Sequence, residues 1–469
     1  MPKHFDTAII GAGQAGPALA MFLADGGESV AMVEGNLMGG SCVNYGCTPT
    51  KTLRKSARVA HLARRAADFG IGVGDVTVDF AAAMARMRDR VQTSRAGLES
   101  GLEGSENVEI LRGWGAFAGH DNGRFTLQIG DQTVTADKVY INTGTRASIP
   151  SIKGVEAVPY LDNVSLLELT ECPAHLIVVG GSYIGLEMGQ IFRRLGAQVT
   201  ILNSSARLAS REDEDVSAII QEFVENEDIR VMNNVEITCV EKLDSGVAVI
   251  LDDNQRIEGT HLLFATGRVP NSDRLNLDNV GVNTDDNGFI ETDAQLQTNV
   301  NGIWALGDIN KRGAFTHTSY HDHQIVLANS AQNVGSLHQW RDADERPTTY
   351  AMFTDPPLGR VGMNLADACL AAKNGQHILT AERMMSDVAR AKEEGETAGL
   401  IRLIVDGETE QILGASIIGI SADEVIAVIT NFMATKSSYR VLQQALPIHP
   451  TVAELLPTVL AGLKRLSVV

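Results

Sequence analysis

Cys42 and Cys47 stand five positions apart in the run Gly40-Ser41-Cys42-Val43-Asn44-Tyr45-Gly46-Cys47-Thr48-Pro49-Thr50-Lys51. Two thiols can join only if their Cα atoms come within about 7 Å. A tight strand-to-helix bend, or one and a half helical turns, supplies that approach, and Gly46 lets the bend close. Pro49 suits a first helical turn, where its missing N–H costs nothing. The apolar and basic run from Leu53 to Arg65 reads as the helix it opens. Cys47 then lies near a helix N-terminus, whose dipole favours a thiolate and so a reactive sulfur. The chemistry this predicts is that of a redox dithiol. Cys172, Cys239 and Cys369 read as packing residues, because five cysteines in 469 residues are too few for a disulfide framework.

A nucleotide-binding pattern lies just upstream. Asp6 to Ile10 is a short strand running into Gly11-Ala12-Gly13-Gln14-Ala15-Gly16, followed by a helix from Pro17 to Asp25 and a strand from Ser29 closed by Glu34. In such a turn, backbone N–H groups and the helix dipole meet a pyrophosphate, and the closing carboxylate accepts from a ribose diol. The grammar recurs from His175 to Val179 through Gly180-Gly181-Ser182-Tyr183-Ile184-Gly185, a helix from Leu186 to Leu195, and a strand ending at Asn203. The glycine and the closing residue are equally spaced in both copies, Gly11 to Glu34 and Gly180 to Asn203. Each copy ends in a strand bearing Thr-Gly, Thr143-Gly144 and Thr266-Gly267. The first copy is longer, and its surplus holds the dithiol segment and a helical arm through Leu102. Two βαβ nucleotide folds follow, with the dithiol inserted in the first.

The second copy departs twice, with Ser182 for the middle glycine and Asn203 for the carboxylate. Loss of that carboxylate removes a group that repels a 2′-phosphate, and Arg207 and Arg211 follow closely, so NADPH is favoured over NADH. The competing reading of these arginines is a solvated helix start, with Ser210 as N-cap three residues ahead of Asp213.

The chain is too long for one core, and its 44% hydrophobic and 21% charged content is that of a globular protein. A net charge of -19 disfavours nucleic acid and anionic membranes as partners. No apolar run reaches the length of a bilayer, and the first residues enter a strand without a signal-peptide core, so a cytoplasmic location is expected. A further strand, Gly302 to Leu306, ends in Gly307-Asp308. After a polar stretch from Asp342 to Thr349, Leu400 to Val405 and Ile412 to Gly419 read as antiparallel strands joined through Asp406-Gly407. The last hundred or so residues therefore form a separate α+β domain.

Thiol–disulfide exchange needs a base that takes and returns a proton near neutral pH, and a histidine oriented by a carboxylate does so. His449-Pro450-Thr451 with Glu454 supplies that pair. His317, His321 and His323 form a second group, which could bind a soft or borderline metal. A polar helix start accounts for them more simply, and no metal is assigned.

At this point the chain resembles the class I pyridine nucleotide-disulfide oxidoreductases, flavoproteins that include glutathione reductase, dihydrolipoamide dehydrogenase and mercuric reductase. The resemblance runs from Gly11 to Glu454, and is most specific at Cys42 to Lys51, at Gly307-Asp308, and at His449-Pro450-Thr451 with Glu454. It implies an α/β fold of two Rossmann-like dinucleotide-binding domains plus a C-terminal α+β dimerisation domain. The corresponding boundaries are 1–150 (FAD-binding, with the dithiol), 151–280 (NAD(P)H-binding), 281–345 (FAD-binding, continued) and 346–469 (dimerisation).

The resemblance further implies FAD at Gly11, Gly13, Gly16, Glu34, Lys51, Thr143, Gly144, Gly307 and Asp308, and NAD(P)H at Gly180, Tyr183, Gly185, Glu187, Asn203, Arg207 and Gly267. Cys47 would face the flavin and Cys42 would exchange with substrate, with Glu187 as the salt-bridge partner of Lys51 and Tyr183 as an aromatic gate over the nicotinamide. His449 and Glu454 would serve the dithiol of the other subunit in a homodimer. The expected activity is reduction of a small or protein-bound disulfide by NAD(P)H. An alternative is a metal-ion or quinone reductase on the same centre. Against it, Leu463 to Val469 lacks the cysteine pair that mercuric reductases carry at their C-terminus, and His449 replaces an aromatic residue of theirs. A non-turnover flavin-binding regulatory protein is the alternative of another class.

Overall fold

Residues 2–330 and 342–467 are described by the computed structural model. Strand β1 (Lys3–Ile10) pairs in parallel with β2 (Val30–Glu34) on one side and with β6 (Gln132–Ile141) on the other. Between β1 and β2 runs helix α1 (Gly16–Asp25), with Pro17 in its first turn. The sheet order is β3-β2-β1-β6-β5-β4, where β3 is Val108–Arg112, β4 Gly115–Asp121 and β5 Arg124–Ile129. Ile303–Ala305 returns to pair in parallel with β6, so chain far downstream completes this sheet. Ala8, Ile9, Ala31 and Met32 are wholly buried, as expected of parallel strands covered on both faces.

Helices α2 (Gly40–Tyr45), α3 (Cys47–Arg64) and α4 (Phe80–Glu103) lie between β2 and β3. This is the expected insertion of the dithiol segment into the first nucleotide fold. Helix α3 begins at Cys47, with Pro49 and Thr50 buried in its first turn, where the sequence placed Pro49. The Asp79 carboxylate caps α4 by accepting the Ala82 N–H at 2.9 Å.

The second nucleotide fold is a five-stranded parallel sheet, in order Arg230–Met232, Gln198–Leu202, His175–Val179, His261–Phe264 and Tyr160–Leu161. Helix α5 (Tyr183–Leu195) starts three residues earlier than the sequence pattern implied, directly after the glycine turn. Helix α6 (Glu214–Asn226) corrects the reading of Ser210 as a cap. Asp213 occupies the N-cap position, and its carboxylate accepts from Leu365 N–H and Arg402 instead, tying this helix to the C-terminal sheet.

Six antiparallel strands form that sheet, and the pair Leu400–Asp406 and Ile412–Ile418 lies where the sequence placed it. One core joins the parts: Leu53 and Ala57 of α3, Phe80 and Met84 of α4, Leu186 and Phe192 of α5, and Met352, Leu358 and Ile418 of the C-terminal sheet. The Phe80 and Phe192 rings meet at 5.9 Å. A wholly buried Phe192 contributes about 1.5–3 kcal/mol of transfer free energy, and Phe192→Ala removes its ring contact with Phe80. Among the described residues, no helix is long and apolar enough to cross a membrane.

Candidate active site

A continuous cleft of about 2490 Å³ runs past both glycine turns and the dithiol. Its lining includes Gly11, Gly13, Glu34, Cys42, Cys47, Lys51, Thr143, Gly144 and Asp308 from the first fold, and Gly180, Tyr183, Glu187, Asn203 and Gly267 from the second. Gly16, Gly185, Gly307 and Arg207 lie outside that lining.

The first glycine turn is shaped by close approach. Gly11 has φ of +102°, and a Cβ there would stand 2.4 Å from the Asn142 carbonyl oxygen. Buried Asn142 locks the turn: its Oδ1 accepts the Gly16 N–H at 3.0 Å and its Nδ2 donates to the Leu306 carbonyl at 2.8 Å. The Glu34 carboxylate accepts the N–H groups of Ala12 and Asn36, each at 2.7 Å. The dithiol segment lies directly on this turn. A Cβ on Gly40 would come 2.9 Å from the Gly13 Cα, and the Gly39 N–H donates to the Ala12 carbonyl at 2.8 Å. Asn44 holds α2 by donating to the carbonyls of Met38 and Gly40.

Both Cys42 and Cys47 are free thiols here. The Cys47 thiol is held below its usual range: the Cys42 thiol donates to its sulfur, burial opposes, and the Thr316 hydroxyl and the Lys51 charge help. Thr316 Oγ1 lies 3.1 Å from Cys47 Sγ. Cys42, donor in that pair and itself buried, is pushed well above the usual thiol range. Both directions favour the thiolate on Cys47 over Cys42 in the reduced pair. Burial also pushes the Cys172 thiol up, as suits a packing residue.

Lys51 Nζ lies 3.0 Å from Glu187 Oε2, so α3 and α5 meet at the dithiol. Tyr183, one turn before Glu187, joins an aromatic group: its ring is 5.6 Å from Tyr350 and 6.1 Å from Phe315, and those two stack at 5.3 Å. The Tyr350 hydroxyl donates to buried Glu212 at 2.6 Å. His317 Nε2 donates to the Thr349 carbonyl at 2.7 Å, and burial lowers its pKa. His323 meets Tyr320 edge to face at 4.4 Å.

Asp308 Oδ2 accepts from Thr145 Oγ1 at 3.0 Å, and Arg268 donates to the same hydroxyl at 2.7 Å. The Gly307 N–H donates to buried Asp322 at 2.7 Å. In the second fold, Asn203 Nδ2 is spent on the Ser205 and Arg207 carbonyls and on Asn233. Arg207 turns toward Glu214 and the carbonyls of Ser210 and Glu212, whereas Arg211, Ser204 and Ser205 line the cleft.

His449 and Glu454 do pair, with Nδ1 2.9 Å from Oε2, but they stand outside the cleft lining and His449 is 74% exposed. Sequence reasoning missed Thr316, Asn142, Thr145 and Phe353. Thr316 sat within a segment read only for its histidines, and Asn142 within the strand closing the first fold.

Residues 5–335 match the family model described as pyridine nucleotide-disulphide oxidoreductase, and residues 348–460 match that family's dimerisation domain. The chain belongs to the pyridine nucleotide-disulphide oxidoreductases. Curated relatives include the probable pyridine nucleotide-disulfide oxidoreductase RclA of Escherichia coli, 30% identical over 96% of this chain and 98% of that one. Mercuric reductase of Streptomyces lividans is 33% identical, covering 96% and 94%. Dihydrolipoyl dehydrogenase of Cupriavidus necator is 32% identical, covering 97% of each. Among solved structures, the HOCl-induced flavoprotein disulfide reductase RclA of Escherichia coli superposes with a TM-score of 0.87 at 29% identity, over 97% of this chain and 99% of that one.

As a member of this family the protein is an FAD-dependent oxidoreductase that uses a pyridine nucleotide and a redox disulfide. The first turn fits the flavin nucleotide: the Asn142 carbonyl leaves no room for a side chain at Gly11, and the buried Thr143 hydroxyl, on the cleft wall, has no partner among the described residues.

Proposed function

We propose that the protein reduces small or protein-bound disulfides with electrons from NADPH, through the Cys42–Cys47 pair. The observation that carries this is the environment of Cys47, a sulfur at a helix N-terminus beside the Thr316 hydroxyl and facing Lys51. FAD would be held by Gly11, Gly13, Gly16, Glu34, Lys51, Thr143, Gly144, Gly307 and Asp308. Bound there, it would supply two-electron redox chemistry between the nicotinamide and the Cys42–Cys47 disulfide.

The remaining steps belong to the chain. Thr316 and Lys51 keep Cys47 as the thiolate. Once a base removes the Cys42 proton, the Cys42 thiolate attacks one substrate sulfur, forming a mixed disulfide and expelling a thiolate that takes up a proton. Cys47 then attacks the Cys42 sulfur, expelling the second product thiolate and restoring the internal disulfide. His449 is the base: Glu454 holds its Nδ1, which leaves Nε2 to accept and return the proton. Leu446 and Ile448 beside it are 97% and 78% exposed, an apolar surface that a second copy would cover while bringing His449 to that copy's dithiol. The dimerisation-domain match supports this arrangement.

Tyr183, Glu187, Gly180, Gly185 and Gly267 would receive the nicotinamide nucleotide. Arg211, rather than Arg207, is the residue for a 2′-phosphate, because Arg207 is committed to its own loop. The location proposed is cytoplasmic. A panel of disulfides including oxidised glutathione and lipoamide tests the reading. Turnover of one of them, abolished in Cys42→Ser while NADPH still reduces the flavin, is the expected result.

Reduction of a metal ion is a second reading, favoured by the mercuric reductases among the relatives and by a solved Cu(II) complex of RclA. Cu(II) or Hg(II) turnover that survives His449→Ala would select it.

A further inference from the structure

The segment Phe353-Thr354-Asp355, which follows strand Thr349–Met352 of the C-terminal sheet, is gripped by α3 and α5 at matching positions. From α3, the Lys51 ammonium lies over the Phe353 ring at 4.2 Å, Arg54 donates to the Thr354 carbonyl at 3.0 Å, and Arg58 pairs with the Asp355 carboxylate. From α5, Glu187 Oε1 accepts the Phe353 N–H at 2.8 Å. Gln190 donates to the Asp355 carbonyl at 2.7 Å and accepts the Asp355 N–H at 2.8 Å, and Arg194 pairs with the Asp355 carboxylate. Both sets are spaced i, i+3 and i+7, which places each on one face of its helix. Three residues of the C-terminal unit therefore fasten the dithiol helix to the nucleotide-fold helix.

The first rung bears on chemistry. Lys51 follows Cys47 by one helical turn, so both side chains share a face of α3. A lysine on four methylenes carries large rotamer freedom, and one ion pair leaves it able to pivot. The Phe353 ring face reduces that freedom, because a cation is attracted to an aromatic face, and more strongly when water is excluded. The same residue's N–H fixes the other Glu187 oxygen, so ring and backbone together set both members of the pair.

We propose that Phe353 is a positioning residue: it holds the Lys51–Glu187 pair so that the ammonium stays beside Cys47, and the C-terminal unit thereby sets the readiness of the dithiol. This rests on the reading of Lys51 and Cys47 as working partners. The Lys51 charge is among the causes that keep the Cys47 thiol below its usual range, in accord with that placement.

The test uses the FAD-loaded enzyme. Phe353→Leu keeps the backbone N–H and apolar bulk but loses the ring, and Phe353→Tyr keeps the ring. Two readouts are taken: titration of the thiolate band in the reduced enzyme, and the rate and KM of reduction by NADPH in stopped flow. In Phe353→Leu the thiolate midpoint should move to higher pH and the reduction rate fall about 3- to 30-fold with KM for NADPH unchanged. Phe353→Tyr should restore both. If the leucine variant does not load FAD, Phe353→Met, of similar volume, carries the comparison. A lowered melting temperature with unaltered titration and rate would show a structural role only and overturn the proposal, as would a tyrosine variant no better than leucine. Lys51→Met separates the two layers. If it too leaves titration and rate unchanged, the reading of Lys51 itself fails; if it alters them while Phe353→Leu does not, only the positioning role falls.

Discussion

The Thr316 hydroxyl oxygen lies 3.1 Å from the Cys47 sulfur although 269 positions separate the two residues. Each is the first residue of a helix, α3 for Cys47 and α7 (Thr316–Asn329) for Thr316. Two helix N-termini therefore converge on one sulfur, and both dipoles favour the thiolate.

Thr316→Val should raise the thiolate midpoint of Cys47 by about one pH unit, since a hydrogen bond to a charged group contributes about 1.5 kcal/mol or more. Thr316→Ser should keep it. Because the native shift is downward, the thiolate persists as pH falls below the ordinary thiol range, and the valine variant should lose it first at that acid end. The ultraviolet thiolate band of the reduced enzyme, followed against pH, checks this.

Asp355 makes a stability prediction. Burial pushes its pKa up, but the Arg194 and Arg58 charges outweigh it and hold the carboxyl down to about 2. Its contribution is then full above its ordinary value of 3.8 and is lost as pH falls from there through about 2. Asp355→Asn removes the anion that the two arginines share, while Arg58 keeps Glu396 and Arg194 keeps Glu227, so the expected cost is about 1.5–3 kcal/mol at neutral pH. Thermal melting of both proteins at neutral pH and near pH 3 should show the gap narrowing in acid.

Asn142→Leu should release both the Gly16 N–H and the Leu306 carbonyl that it satisfies. Each unsatisfied buried group costs about 1–3 kcal/mol, and the glycine turn loses its anchor. The expected result is purified protein with reduced flavin content, measured by the visible absorbance per chain, and flavin restored to the native ratio would refute it.

The nucleotide folds were legible because βαβ grammar is local: glycine spacing, a closing acid and a Thr-Gly strand all lie on short stretches of chain. Helix starts were less so. Cys47 and Tyr183 begin helices ahead of the apolar periodicity, in turns whose polar residues face the cleft. The site's long-range partners left no local mark. Thr316 meets Cys47, and Phe353 meets Lys51, only because the C-terminal sheet and α7 fold back on α3, and no spacing rule reports that. Arg207 illustrates the converse, a basic residue well placed in sequence whose side chain the loop itself consumes.

His449→Ala should leave reduction of the flavin by NADPH nearly intact while disulfide turnover falls by about 100-fold or more. Stopped-flow and steady-state rates on the same preparation check it. Equal loss in both steps would remove His449 from its role.

Anaerobic NADPH reduction followed by thiol alkylation and peptide mass spectrometry reads whether nucleotide electrons reach the Cys42–Cys47 pair. Cys42 and Cys47 should become alkylatable together on reduction, with Cys172, Cys239 and Cys369 unchanged. Reduction of the flavin that exposes neither thiol would contradict that transfer.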